Sequence, residues 1–131
     1  MIQPETAEIA ELLGLPESAA GLSARCPISS IQELLVAVDD RDLLTRGLSL
    51  TMLRRRKGCF DENESQRLYR VARAWLMVLR IFGNENKARR FLARPHAMLD
   101  GEVAIERAAS SVAGIEELEQ VLGRLYYGSA A

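Results

Sequence analysis

The stretch Asp61-Glu-Asn-Glu-Ser-Gln-Arg-Leu-Tyr-Arg-Val-Ala-Arg-Ala-Trp-Leu-Met-Val-Leu-Arg-Ile-Phe82 carries the strongest helix pattern in the chain. Asp61 and Glu64 have the spacing of a capping box, in which two side chains and two backbone N–H groups bond reciprocally. The apolar stripe that follows comprises Leu68, Val71, Ala72, Trp75, Leu79 and Phe82, and the second half is apolar nearly all round. A helix of this kind is buried on more than one side, so we expect a central helix with a second subunit as one candidate for its outer cover.

Length and composition place the chain among folded proteins. Its 131 residues, 48% hydrophobic and 27% charged, fit one domain or two very small ones. No apolar run reaches the roughly 18 residues of a membrane helix, and the start lacks a basic signal region. We therefore expect a cytoplasmic protein with no membrane partner. Cys26 and Cys59 have no metal-type spacing and are expected to remain thiols.

The net charge of −1 hides an asymmetry along the chain. Residues 1–40 carry seven acidic side chains and one basic, residues 41–94 fourteen basic and five acidic, and residues 95–131 six acidic and two basic. A basic middle suits an anionic partner such as DNA. The equal alternative is that the acidic ends fold back onto the basic middle.

The remaining apolar patterns are also helical, and no convincing strand is found, so the predicted fold class is all-α. Gly83 is expected to end the central helix, and Asn84 is expected to cap the next one, which Pro95 stops. Further helices are expected over about 5–13, from Ser30 with Glu33 as a capping box, over 39–47, over 48–57, near 103–109 and over 114–126. In the helix over 48–57, Leu50 and Leu53 are expected to point inward. In the last helix, Glu116, Glu117 and Glu119 are expected to form a solvated face.

Residues 39–57 have the outline of a helix-turn-helix, in which a helix with exposed polar and basic residues follows a glycine-containing turn. The candidate DNA-binding residues are Ser49, Thr51, Arg54, Arg55, Arg56 and Lys57. Cations in this position would contact phosphates. The alternative is a solvated helix C-terminus, where cations also complement the helix dipole.

No arrangement of residues predicts catalysis. His96 is the single histidine and follows a proline, a position more typical of a surface loop than of a general base. No glycine-rich phosphate loop or metal-ligand cluster is present in the sequence. We therefore predict no catalytic residue, no metal, no cofactor and no small-molecule substrate.

The end of the chain, Arg124-Leu-Tyr-Tyr-Gly128, is the second candidate binding segment. Two adjacent tyrosines near a chain end are suited to filling a partner's pocket, because they bury a large area at low entropy cost. The alternative is a frayed terminus with one tyrosine packed on the last helix.

From about Leu48 to Gly128, the chain resembles the Xre/MbcA/ParS antitoxins, the partners of RES-domain toxins. Four blocks carry the resemblance in order: Leu53-Arg-Arg-Arg with the run from Glu62 to Leu68; Phe82-Gly-Asn with the run from Lys87 to Leu92; Pro95, Leu99 and Gly101; and Gly123-Arg-Leu with Gly128. One departure is Ala104, which stands where family members commonly have proline. The first forty residues match poorly.

The resemblance implies a helix-turn-helix-like region at 1–60 and a toxin-binding region at 61–131. It implies a homodimer, and a RES-domain toxin partner that consumes NAD or transfers ADP-ribose from it. The residues that would block the toxin's active site are Arg124, Leu125, Tyr126, Tyr127 and Gly128. Many members also repress their own operon through operator DNA. The alternative function is a stand-alone helix-turn-helix DNA-binding transcriptional regulator.

Overall fold

The computed structural model describes residues 4–15 and 25–127, and within these ranges the protein is all-α. The eight α-helices of the described part are α1 (Thr6–Leu12), α2 (Ser29–Val38), α3 (Arg41–Gly47), α4 (Leu50–Arg54), α5 (Glu62–Phe82), α6 (Glu85–Ala93), α7 (Ala104–Ser110) and α8 (Val112–Tyr127). A short 3-10 turn, Ala97–Leu99, lies between α6 and α7. Isolated β-bridges join Pro27 to Cys59 and Pro95 to Val103.

The central helix α5 has the caps that the sequence predicts. Asp61 accepts a hydrogen bond from the Glu64 backbone N–H at 2.7 Å, and the Glu64 carboxylate accepts one from the Asp61 N–H at 3.0 Å. At the other end, Gly83 takes a left-handed conformation with φ 63°, which a glycine adopts without the steric cost of a Cβ. Asn84 then caps α6 by accepting from the Lys87 N–H at 3.0 Å. Local side-chain chemistry therefore sets both ends of α5 and the start of α6.

The apolar second half of α5 is covered by the chain itself. Trp75, Met77 and Val78 are buried, and helices α1, α6, α7 and α8 all pack against α5. Leu76, Leu79, Ile81 and Phe82 are partly buried, so the chain itself covers most of this helix. The core is mostly aliphatic, includes the buried rings of Phe60, Tyr69 and Trp75, and runs from Ile9 in α1 to Leu122 in α8.

Two predicted details near the N-terminal region are wrong. Helix α2 begins at Ser29, and the Ser30 hydroxyl is buried without a hydrogen-bond partner among the described residues, so it caps nothing. Helix α4 spans only Leu50–Arg54, and its buried residues are Met52 and Leu53, whereas Leu50 is 44% exposed. The shorter helix follows from Arg55, whose extended backbone and side chain turn towards Glu64.

The acidic ends do contact the basic middle. Arg80 of α5 pairs with Glu8 of α1 at 2.7 Å, and Arg73 pairs with Glu119 of α8 at 3.4 Å. These contacts tie the first and last helices to the central one. Among the described residues, no helix is long and apolar enough to cross a membrane.

Candidate functional site

The last turn of α8 presents a patch of apolar and aromatic surface. Leu125 is 48% exposed, Tyr126 50% and Tyr127 59%, and the neighbouring Arg124 is also exposed. The two tyrosine rings meet edge to face, with centroids 4.8 Å apart. We call Arg124–Tyr127 the tail patch. Neither tyrosine is packed back into the core, and Gly128 of the predicted segment lies outside the described residues.

The tail patch stands on a helix that is closely packed along its other side. Ile115, Leu118 and Leu122 of α8 are buried against α5 and α7. Gly114 permits this approach: a Cβ added there would lie 1.9 Å from the carbonyl oxygen of Arg107. The start of α8 therefore contacts the α7 backbone directly. This contact fixes the orientation of α8, and with it the position of the tail patch at its end.

Arg107 of α7 connects the segments around α8. Its Nε donates to Glu117 of α8 at 2.8 Å, and its terminal nitrogens reach Glu102 and lie 3.7 Å from Asp100. The hydrogen bond to Glu117, followed by the one to Glu102, raises the pKa of the Arg107 guanidinium above its ordinary value. Arg107 is not among the site residues predicted from the sequence. The available signal was its position as one of only two basic residues, against six acidic ones, in residues 95–131.

The acidic face predicted for α8 is therefore not simply solvated. Glu117 is engaged by Arg107, and Glu119 by Arg73 of α5, while Glu116 is exposed. These pairs join α8 to α7 and to α5 through residues that are themselves half-buried. Gly123 stays helical, and a Cβ added there would meet nothing within 4 Å. It permits no close approach and does not end the helix.

The structure places the predicted DNA-binding residues in different environments, with some exposed and others engaged in contacts within the protein. Ser49 caps α4 by accepting from the Met52 N–H at 3.1 Å, and Thr51 and Arg54 are exposed on that helix. Arg56 and Lys57 are exposed in the loop that follows.

Arg55 is differently placed. It makes two hydrogen bonds to Glu64, at 2.6 and 2.8 Å, and lies 5.3 Å from the centre of the Phe60 ring. The Arg55 hydrogen bond holds the pKa of the Glu64 carboxyl below its usual range. Arg55 is thus committed to the protein's own structure, while its neighbours face solvent.

His96 has a structural environment. Its Nε2 lies 3.0 Å from the Phe91 carbonyl oxygen, and its ring stacks on Phe91 with centroids 4.3 Å apart. Cys26 and Cys59 are both free thiols, and burial raises the pKa of Cys26. Over residues 4–15 and 25–127, no group of three histidine, cysteine or acidic side chains is placed to hold a metal ion.

The described residues thus form an all-helical protein with an exposed apolar and aromatic patch at the end of its last helix. Residues 77–128 match the model of the antitoxin Xre/MbcA/ParS C-terminal toxin-binding domain. The matched range runs from the second half of α5 to the end of the tail patch. No curated protein matches the chain.

Proposed function

We propose that the protein is an antitoxin that inhibits a RES-domain toxin by inserting its C-terminal end into the toxin's active-site entrance. The toxin would consume NAD or transfer ADP-ribose from it, and the inserted end would prevent NAD from entering. Inhibition would be by binding alone, without catalysis by the antitoxin.

The tail patch, at the end of the matched domain, carries this proposal. Tyrosine and arginine are among the residue types most enriched at the positions that dominate binding energy in protein interfaces. Tyr126 and Tyr127 expose half or more of their surface, so they are available to a partner without unfolding the core. Each tyrosine also ends in a hydroxyl that can donate or accept a hydrogen bond inside a polar pocket.

The rest of the fold supports the same mechanism by holding α8 in place. Gly114 and Arg107 fix the start of α8 on α7, and the buried leucines of α8 hold it on α5. A preorganised binding segment loses less conformational entropy when it meets its partner. The tail patch would therefore be delivered by a rigid helix.

Two further properties belong to the proposal. The homodimer is proposed from the family resemblance alone, because the chain itself covers most of α5. Repression of the protein's own operon is favoured by the exposure of Thr51, Arg54, Arg56 and Lys57 around α4. If no toxin partner exists, these residues support the second candidate function, a helix-turn-helix transcriptional regulator.

The experiment is co-expression with the product of the adjacent gene, followed by co-purification and an assay of cellular NAD. We expect a stable complex that preserves NAD and growth. The double variant Tyr126→Ala/Tyr127→Ala should lose inhibition, because it removes the two largest exposed side chains of the tail patch.

Val36→Ala is the matched control, since Val36 is 81% exposed on α2, outside the matched domain. It should inhibit as well as the wild type does. Full inhibition by the double tyrosine variant would contradict the proposed role of the tail patch. The absence of any complex, together with specific binding to upstream DNA, would favour the regulator.

A further inference from the structure

A polar cleft of about 350 Å³ lies between α4, the first half of α5 and the end of α7. Its walls include Ser49 of α4, Asn63, Arg67 and Arg70 of α5, and Ser110 of α7. Positions 63, 67 and 70 lie on one face of α5, because residues three and four apart are neighbours on a helix. None of the residues that line the cleft belongs to the tail patch. Of the predicted DNA-binding residues, Ser49 lines it.

The two arginines are fixed in the cleft by backbone contacts. Arg67 donates its Nε–H to the carbonyl of Gly47 at 2.9 Å, and Arg70 donates its Nε–H to the carbonyl of Ala109 at 3.0 Å. These carbonyls lie at the C-terminal ends of α3 and α7, where helices leave acceptors free and carry partial negative charge. Each guanidinium is therefore held in place by one N–H, and its four other N–H donors have no hydrogen-bond acceptor among the described residues.

The positive charge in the cleft is not neutralised by the described residues. No carboxylate in the described part of the chain forms a salt bridge with Arg67 or Arg70. Glu64 also lines the cleft, but both of its oxygens are engaged by Arg55. Burial, followed by repulsion from Arg67, lowers the pKa of Arg70. An anion placed between the two guanidinium groups would relieve that repulsion.

We propose that this cleft is a phosphate-binding site, in which Arg67 and Arg70 hold a phosphate group between them. Guanidinium forks match the geometry of phosphate oxygens and bind them in pairs of hydrogen bonds. Ser49 adds a donor, because its oxygen accepts from the Met52 N–H while its own O–H donates to no other described residue. The phosphate belongs either to a small phosphate compound or to the backbone of a nucleic acid.

The first test titrates the purified full-length chain with inorganic phosphate at constant ionic strength, with chloride as the reference anion. Binding is measured by calorimetry and by the NMR shifts of the arginine Nε–H groups. Arg70→Gln should weaken phosphate binding about tenfold or more, since it removes a charge-assisted fork. Arg70→Lys should weaken it less than Arg70→Gln does, because it keeps the charge and loses only the planar fork.

Asn63→Asp provides a second variant, which we expect to fold as the wild type does. An acidic residue in the first turn of a helix is favourable, and the new carboxylate would compete for Arg67. It should therefore also weaken phosphate binding about tenfold. Arg90→Gln is the control, because it makes the same change of one charge unit at an exposed position on α6, outside the cleft. It should leave binding within about twofold of the wild type, as expected for a distant charge in salt.

A second arm measures binding of a short random-sequence DNA duplex by the same variants, with free phosphate as competitor. Phosphate binding that depends on Arg70 and Asn63 assigns the site to small phosphate compounds. If phosphate alone does not bind, duplex binding that is weakened by Arg70→Gln and Asn63→Asp, and not by Arg90→Gln, assigns it to a nucleic-acid backbone. If both variants match Arg90→Gln in both arms, the proposal is wrong. None of these outcomes depends on the toxin.

Discussion

Two glycines in α8 give a paired test of how the C-terminal domain is packed. Gly114→Ala would place a methyl group 1.9 Å from the Arg107 carbonyl oxygen, although real Cβ contacts shorter than 3.0 Å essentially do not occur. The obstacle is backbone, which cannot rotate away as a side chain can. The start of α8 must therefore separate from α7, and the Arg107–Glu117 contact must stretch.

The magnitude follows from two opposing effects. Overpacking of a closely fitted contact typically costs about 1–3 kcal/mol. Replacing glycine by alanine inside a helix returns about 1 kcal/mol through backbone entropy and helix propensity. We therefore expect Gly114→Ala to lower the free energy of unfolding by up to about 2 kcal/mol.

Gly123→Ala is the matched control in the same helix, because its added Cβ meets nothing within 4 Å. This variant should raise the free energy of unfolding by up to about 1 kcal/mol. Urea unfolding measured by circular dichroism gives both values, with the midpoint moving in opposite directions and the slope unchanged. Equal stabilisation by the two substitutions would refute the close approach of α8 to α7.

Four further variants test an ion pair, a buried hydroxyl and the contact with DNA. Arg55 lowers the pKa of Glu64 in the folded protein. The ion pair therefore contributes its full stabilisation above the ordinary glutamate pKa of about 4.3, and this contribution is lost as the pH falls through the lower pKa of the folded state. Glu64→Gln should therefore flatten the pH dependence of urea unfolding in the acid range, and an unchanged profile would contradict this role. Ser30→Ala should leave stability unchanged or raise it by about 1 kcal/mol, because it removes a buried hydroxyl with no partner in the described structure; a loss of 2 kcal/mol in thermal unfolding would contradict the environment described for this hydroxyl. If the chain binds operator DNA, Arg54→Ala/Arg56→Ala should reduce the slope of log affinity against log salt by about two, measured by fluorescence anisotropy. Arg55→Ala should instead lower the midpoint of urea unfolding and leave the salt slope unchanged. An unchanged midpoint with a reduced salt slope would show that Arg55 contacts DNA and does not stabilise the fold.

The parts of the fold that were predicted correctly depend on local chemistry. The Asp61 capping box, the Gly83 stop and the Asn84 cap each involve residues within about four positions of one another, so the sequence contains the whole interaction. The all-α class follows from the same helical periodicity. The helix start at Ser30 was wrong because Ser30 faces the core, and a capping pattern says nothing about burial.

The features that the sequence could not reveal join distant segments. The inward position assigned to Leu50 was wrong because α4 buries Met52 and Leu53 and leaves Leu50 exposed in its first turn. The end of α4 depends on Arg55, which bonds to Glu64 nine residues further on. The engagement of Glu119 depends on Arg73, 46 residues away. The phosphate-site candidate needs three helices to meet, and neither Arg67 nor Arg70 stands out in a helix that already contains several arginines.

The exposure of the tail could not be decided from residues alone. Tyr126 and Tyr127 fitted either a binding segment or a tyrosine packed on the last helix. The structure leaves both rings half exposed, and both lie within the range that matches the toxin-binding domain model. The inhibitory role of these residues remains a prediction.

The most direct test of that prediction is an NAD-consumption assay with the purified toxin. The toxin is titrated with the full chain and with a chain that ends at Gly123, after circular dichroism has established that both are folded. We expect the full chain to abolish NAD loss near equimolar ratio, and the shortened chain to leave the toxin active. Complete inhibition by the shortened chain would contradict occlusion by the C-terminal end.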